Sequence, residues 1–233
     1  MPTKNTSFSV RIRGPLATFT RPELKVERMS YPVITPSAAR GVLESVLWKP
    51  AILWHVDRIA VLARIEFTAF RRNEVNTRAV APSLATIAGG GEHAAYFADE
   101  DRAQRNTVAL RDVDYLIDCH FTMTDRAGPD DNATKFVEMF RRRLENGQHW
   151  QQPYLGCREF IADVTPVDEH CPAPIAESRD LGIMLWDIAY DPKRGNRPIF
   201  FHAQMRDGVI DVPPTAAKAL ETLQKFSRRG GSD

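Results

Sequence analysis

RMSYPVITPSAARGVLESVLWKP, residues 28–50, is the stretch around which the chain is organised. An extended Ser30-Tyr31-Pro32 lead-in feeds one well-punctuated helix. Pro36 stands where a first helical turn tolerates it, directly after Thr35 as a capping residue, and Pro50 forbids continuation. Between them Ala38, Val42, Leu43, Val46 and Leu47 recur at three- and four-residue steps, so one face must lie on an apolar surface. The other face carries Arg40 and Glu44.

Outward from that helix the pattern changes to alternation. Upstream, Phe8, Val10 and Ile12 alternate with Ser9, Arg11 and Arg13, the period of a strand with one buried face, and Gly14-Pro15 ends it. Downstream, residues 52–67 alternate again, with Ile59, Val61, Ala63, Ile65 and Phe67 opposite Arg58, Arg64 and Glu66: a second strand, or two joined by a kink. Periodicity then disappears over residues 71–111, which read as one long inserted loop. Its Gly89-Gly90-Gly91 is not followed by GK[ST], so it reads as a flexible loop tip and not a phosphate cradle. Tyr115, Ile117, Cys119, Phe121 and Met123 restore strict alternation against Asp118, His120 and Thr122. Asp131 or Asn132 caps a second helix that turns Phe136, Met139, Phe140 and Leu144 inward. Arg141, Arg142 and Arg143 suit its C-terminal dipole, and Gly147 supplies the stop. Pro153-Tyr154-Leu155-Gly156 turns the chain into a fourth strand over residues 158–167.

Strand, helix, strand, strand, helix, strand predicts an α+β fold with a ferredoxin-like (RRM-like) βαββαβ domain over residues 1–167. Two helices then cover one face of an antiparallel sheet and leave the other open, with Arg11, Arg13 and His120 on it. Such open faces often handle RNA, but the aromatic signature of a standard RNA-recognition motif is absent. Residues 168–233 read as a small antiparallel β domain. It has a Pro-rich linker, strands over 181–188 and 199–205, an Asp207-Gly208 hairpin closing onto 209–212, a helix over 216–226 and a disordered tail from Ser227.

Composition narrows the function. A 233-residue chain with 43% hydrophobic and 26% charged residues is soluble and globular, and no apolar run approaches the ~20 residues that span a membrane. Residues 1–7 lack a signal-peptide apolar core, so the cytoplasm is the expected compartment. The three cysteines, Cys119, Cys157 and Cys171, are odd in number and have no CxxC spacing, which argues for reduced thiols and against structural zinc. His170 beside Cys171 is the only tempting pair, and neither metal nor cofactor is expected. A net charge of +1 leaves nucleic-acid binding to local patches: Arg11, Arg13, Arg21, Lys25 and Arg28, then Arg71, Arg72 and Arg78, then residues 141–143.

With SYPVITPSAARGVLESVLWKP, RRNEV at 71–75, LRDVDYLID at 110–118 and PYLGCREF at 153–160, the chain resembles a known family over nearly its whole length. It is similar to the CRISPR-associated RAMP proteins called Cas-five, of the d subtype found in type I-C (Dvulg) systems. The resemblance implies a metal-independent endoribonuclease that cuts precursor CRISPR RNA at the base of the repeat hairpin. It also implies that the protein stays on the 5′ handle as a subunit of the interference complex; double-stranded DNA near the handle belongs to the alternative, non-cutting reading. Members of the family use a tyrosine two residues before the Lys-Pro that ends the first helix, and a Lys-His pair opening the second. The lysine is present here as Lys135, catalytic by this resemblance; the tyrosine and histidine positions hold Leu47 and Phe136, neither of which exchanges a proton.

Antiparallel helices place Leu47, Trp48 and Lys49 beside the start of the second helix, where free backbone N–H groups suit a phosphate and Lys49 and Lys135 add two ammonium groups. The expected reaction is attack of a ribose 2′-OH on the adjacent phosphate, leaving a 2′,3′-cyclic phosphate and a 5′-OH. His120, His149 and Tyr154 are the candidate replacements for the missing proton carriers. His149 lies 14 residues from Lys135, on the order of 20 Å along a helix. Arg11, Arg13, Arg28, Arg40, Lys49, Arg71, Arg72, Arg141 and Arg158 are the candidate RNA contacts. The alternative is a subunit that grips the repeat handle without cutting it.

Overall fold

Val10 and Ile12 face inward and Ser9, Arg11 and Arg13 outward along β1 (Ser7–Ala17), the first element of the computed structural model, which describes residues 6–24, 26–78, 80–89, 97–191, 193 and 195–229. After a short β2 (Arg28–Met29) comes α1 (Pro36–Val46), with Pro36 in its first turn and the Thr35 side chain accepting from the Ala38 N–H at 3.2 Å. Then follow β3 (Ile52–Val61), β4 (Glu66–Val75), the one-turn α2 (Leu84–Ala88), β5 (Arg102–Met123) and α3 (Ala133–Glu145). The chain closes with β6 (Asp163–Pro166), β7 (Arg179–Ala189), β8 (Arg197–Met205), β9 (Val209–Asp211) and α4 (Ala216–Arg229). Among the described residues no helix is long and apolar enough to cross a membrane.

The large sheet runs in the order β6-β1-β5-β3-β9, antiparallel at every step, and β7 pairs with β8 in a second, smaller sheet. The fold is thus mixed α and β, with α1 and α3 packed into one core with the large sheet. Aromatic rings join the layers: Phe140 of α3 lies 4.8 Å from Phe8 and 4.6 Å from Trp54, and Trp54 meets Phe121 edge-on at 5.4 Å. The Trp54 Nε1–H donates to the Leu47 carbonyl at 2.9 Å, so β3 holds the end of α1 in place.

Several elements differ from the sequence reading. Residues 71–111 are not one loop: β4 and the first half of β5 pair from Glu66↔Arg111 to Val75↔Arg102 as a two-stranded arm. Thr107, Ala109 and Leu110 at its base are buried, but its outer half, residues 71–75 and 102–106, is half-buried or exposed on both faces with polar partners such as Arg71 and Asn106, so it shows no hydrophobic alternation. Gly89 caps α2, while Gly90 and Gly91 lie outside the described residues, as does Lys25. The fourth strand shrinks to β6. β9 does not close a hairpin onto β8 beyond the Arg206↔Val209 bridge, but pairs with β3 in the large sheet. Met184, Phe201, Met205 and Ile210 accordingly share one core with Val42 and Ile59, and the core continues across residue 168. The last helix runs to Arg229, past the expected start of the tail.

Candidate functional site

The turn after α1 and the loop before α3 are fastened together. Thr124, the first residue past β5, donates its N–H to the Ala51 carbonyl at 2.9 Å and its hydroxyl to the Pro50 carbonyl at 2.6 Å. Four and seven residues on, Gly128 and Asp131 exchange hydrogen bonds, Asp131 N–H to Gly128 O and Gly128 N–H to Asp131 Oδ2, both 3.0 Å. Asn132 caps α3 by accepting from the Lys135 N–H at 2.9 Å, and the Lys135 ammonium meets Asp131 Oδ1 at 2.9 Å. The Lys135 hydrogen bond, then the Gly128 N–H, hold the Asp131 carboxyl below the usual carboxylate range, and the charge of Lys49 adds to them. Lys135 is thus paired with Asp131, and the charge of Lys49 is felt at the same carboxylate.

The two helices do not simply run antiparallel. Arg143, in the last turn of α3, reaches the Val46 carbonyl in the last turn of α1 at 2.7 Å, and the Trp150 and Gln151 N–H groups donate to the Ser45 carbonyl at 2.7 and 3.1 Å. The end of α1 is thus capped by the far end of α3, while Lys49, three residues beyond, stays within range of Asp131. Leu47 and Phe136, at the resemblance's tyrosine and histidine positions, are fully buried, with 0% and 2% of their surface exposed, and face no solvent from which a substrate would come.

None of the three replacement candidates adjoins Lys135. His149 is exposed in a cleft of about 900 Å³ shared with Arg13, Arg143 and Asp163. Tyr154 is half-buried in a separate cleft along α1. His120 lies on the opposite face of the sheet from the helices, stacked on His55 at 4.8 Å, with Nδ1 2.8 Å from Asp57 Oδ2; the His55 Nε2 meets the Thr122 hydroxyl at 2.9 Å. His55 and Asp57 escaped the sequence reading because what joins them to His120 is the β3–β5 register, His55↔His120, and the irregularity between Val56 and Arg58. Burial, then the neighbouring His120, push the His55 imidazole below its ordinary value of 6.5. The unfolded chain then protonates His55 before the folded one does, so stability falls as pH drops through 6.5 toward the folded value. His55→Asn is expected to lose less stability between pH 7.5 and 5.5 than the parent, read as urea midpoints at each pH.

The candidate RNA contacts divide by partner. Arg11 grips Asp114 with two bonds, 3.0 and 2.6 Å, and Arg13 meets Asp163 at 2.5 Å. Arg28 lies 3.2 Å from Glu74, Arg72 pairs with Glu159, and Arg40 sits between Glu44 and Asp187 at 2.7 and 2.6 Å. Arg141 covers the Phe8 ring at 5.9 Å. Arg71 and Arg158 are exposed and have no carboxylate partner among the described residues. Much of the basic surface is therefore neutralised locally, and the open sheet face is not a bare cationic one.

The family described as CRISPR-associated protein (Cas_Cas5) matches residues 8–213. A relative from Mannheimia succiniciproducens, named CRISPR pre-crRNA endoribonuclease Cas5d, is 45% identical over 223 residues, 91% of this chain and 97% of its own. One of the same name from Thermus thermophilus is 39% identical, over 96% of this chain and 98% of its own. A solved structure described as a CRISPR-associated protein shares the fold at 23% identity, with a TM-score of 0.65 over 91% of this chain and 93% of that one. With the profile covering most of its length and two relatives matched nearly end to end, the chain belongs to the CRISPR-associated Cas_Cas5 family.

Proposed function

We propose that this protein is an endoribonuclease that cuts precursor CRISPR RNA at the base of the repeat hairpin and stays on the 5′ handle within a type I-C interference complex. The observation that carries this is the 45% identity, over nearly the full length of both chains, to a protein named CRISPR pre-crRNA endoribonuclease. The finer architecture we read is a ferredoxin-like unit, β1-α1-β3-β5-α3-β6 within residues 1–167, followed by a smaller β unit over 168–233. The strand order β6-β1-β5-β3 supports it.

In this reading the backbone phosphate at the cut lies between Lys135 and Lys49. The O2′–P bond forms as the P–O5′ bond breaks; the 2′-OH proton leaves to a base and the O5′ takes a proton, giving a 2′,3′-cyclic phosphate and a 5′-OH. Lysine ammonium groups suit the charge that builds on the phosphorane oxygens, and exchanging Asp131 for a phosphate leaves Lys135 paired throughout. Purified protein with its own repeat RNA in EDTA is expected to give one cut. Lys135→Ala is expected to lower the single-turnover rate about a hundredfold, more than it lowers binding. Absence of cleavage by the parent protein from pH 5 to 9 rejects the enzyme.

A second reading is a subunit that holds the repeat handle, and double-stranded DNA beside it, without cutting. Burial of Leu47 and Phe136, where the family's proton carriers stand, favours it. Salt-sensitive binding of intact repeat RNA with no product supports it over the first.

A further inference from the structure

We infer that the cleft between α1, residues 150–156 and the end of β7 is a nucleobase site, in which Trp48, Trp150 and Tyr190 stack on unpaired bases of the bound RNA. The inference rests on the RNA reading above and names where single-stranded nucleotides are held.

The tryptophans of the chain divide sharply. Trp54 is buried and Trp186 half-buried, and each donates its indole N–H to a backbone carbonyl, of Leu47 and Pro213. Trp48 and Trp150 are 51% and 66% exposed, and neither indole N–H has a partner among the described residues. Tyr190 is 71% exposed. All three of these exposed rings line one cleft of about 590 Å³, with Tyr154 half-buried beside them. Buried aromatics serve packing; rings left in water around a single concavity are shaped for flat ligands with two π-faces.

The cleft is built on rigid backbone. The Trp150 and Gln151 N–H groups are tied to the Ser45 carbonyl in the last turn of α1, so both tryptophans move with that helix. Gly41, mid-helix, also lines the cleft, and a Cβ added there would meet nothing within 4 Å. Neither packing nor helix propensity asks for glycine at that position, and its effect is to keep the concavity open.

Charge and chain order select the occupant. The charged groups lining the cleft are Arg40, Glu44 and Asp187; Arg40 bridges both carboxylates at 2.7 and 2.6 Å, so its charge is fully used and the three together carry −1. No free cation is left for a phosphate, which suits a neutral base with its phosphates outside. Those phosphates have a path: Trp48 lines the cleft, and the next residue, Lys49, acts with Lys135 on Asp131. A strand whose base stacks on Trp48 therefore has its backbone beside Lys49, the next residue.

The test compares the cognate repeat RNA, unpaired flanks included, with the same hairpin trimmed to its base-paired stem. Trp48→Ala and Trp150→Ala are expected to weaken full-repeat binding about tenfold or more, leave stem binding unchanged and leave the dependence of affinity on salt unaltered. Lys135→Ala, by contrast, is expected to flatten that salt dependence by about one phosphate contact. Gly41→Leu, which fills the cleft and removes no ring, is expected to act like the tryptophan variants. Binding of the full repeat within twofold of the parent by all three cleft variants overturns the inference while the RNA reading stands. A parent protein that binds neither RNA overturns both. Variants that keep RNA binding but no longer join the other complex subunits assign the rings to a protein partner and overturn the base site.

Discussion

Gly156→Ala is expected to destabilise the protein by about 3 kcal/mol or more, a large share of the ~5–15 kcal/mol that holds a typical domain. Gly156 sits at φ +83°, where a side chain is already strained, and a Cβ there would stand 1.9 Å from the Thr18 carbonyl oxygen and 2.7 Å from its carbon. Both are backbone atoms, so no rotamer can move aside. Relief requires lifting residues 153–160 off the end of β1, which breaks the Thr18 N–H to Leu155 O bond of 3.0 Å and uncovers Leu155 and Phe160. Gly147→Ala is the matched comparison: its φ is +62°, but an added Cβ meets nothing within 4 Å, so only the conformational cost of about 1 kcal/mol applies. Urea midpoints at unchanged m-value measure both. Equal shifts would show that the close approach to Thr18 carries no weight.

Phe140→Ala is expected to cost about 3–5 kcal/mol. Phe140 is fully buried and is the ring through which α3 meets both Phe8 of β1 and Trp54 of β3. Removing it leaves a cavity that two strands and a helix cannot close together, because each is fixed by its own backbone ladder. Phe67→Ala, on the arm and 44% exposed, is expected to stay within about 1 kcal/mol of the parent under the same urea titration. The contrast separates the core that positions the site from the surface that surrounds it. Loss of α3 packing also frees Asp131 and Lys135 from the register of Lys49, so cleavage is expected to fall with stability.

The arginines on the open sheet face show what pattern alone overstates. Alternation predicted Arg11 and Arg13 outward, and outward they are, but Asp114 and Asp163 stand across the neighbouring strands to neutralise them. A cation's availability depends on what another strand places opposite, at separations of 103 and 150 residues. His120 is a parallel case. Its face was legible from the period of β5, while His55, Asp57 and the stacked geometry came from strand register. The outer half of the arm of β4 and β5 was missed for a related reason, since its pairs from Arg71↔Asn106 onward are largely polar and leave no hydrophobic signature.

What the sequence by itself determined is local: the Thr35-Pro36 start of α1, a cap of α3 at Asp131 or Asn132, and the inward faces of both helices and of β1 and β5, together with motifs enough to reach the family. Those features depend on neighbours a few residues apart, where period and capping chemistry act. The tertiary structure alone decided that β9 joins the large sheet and that Thr124 is fastened to Pro50 and Ala51. It also decided that the end of α1 is capped by Arg143 and that two exposed tryptophans face one cleft. Each of these joins segments distant along the chain, and their meeting is set by packing and register, which no local pattern encodes.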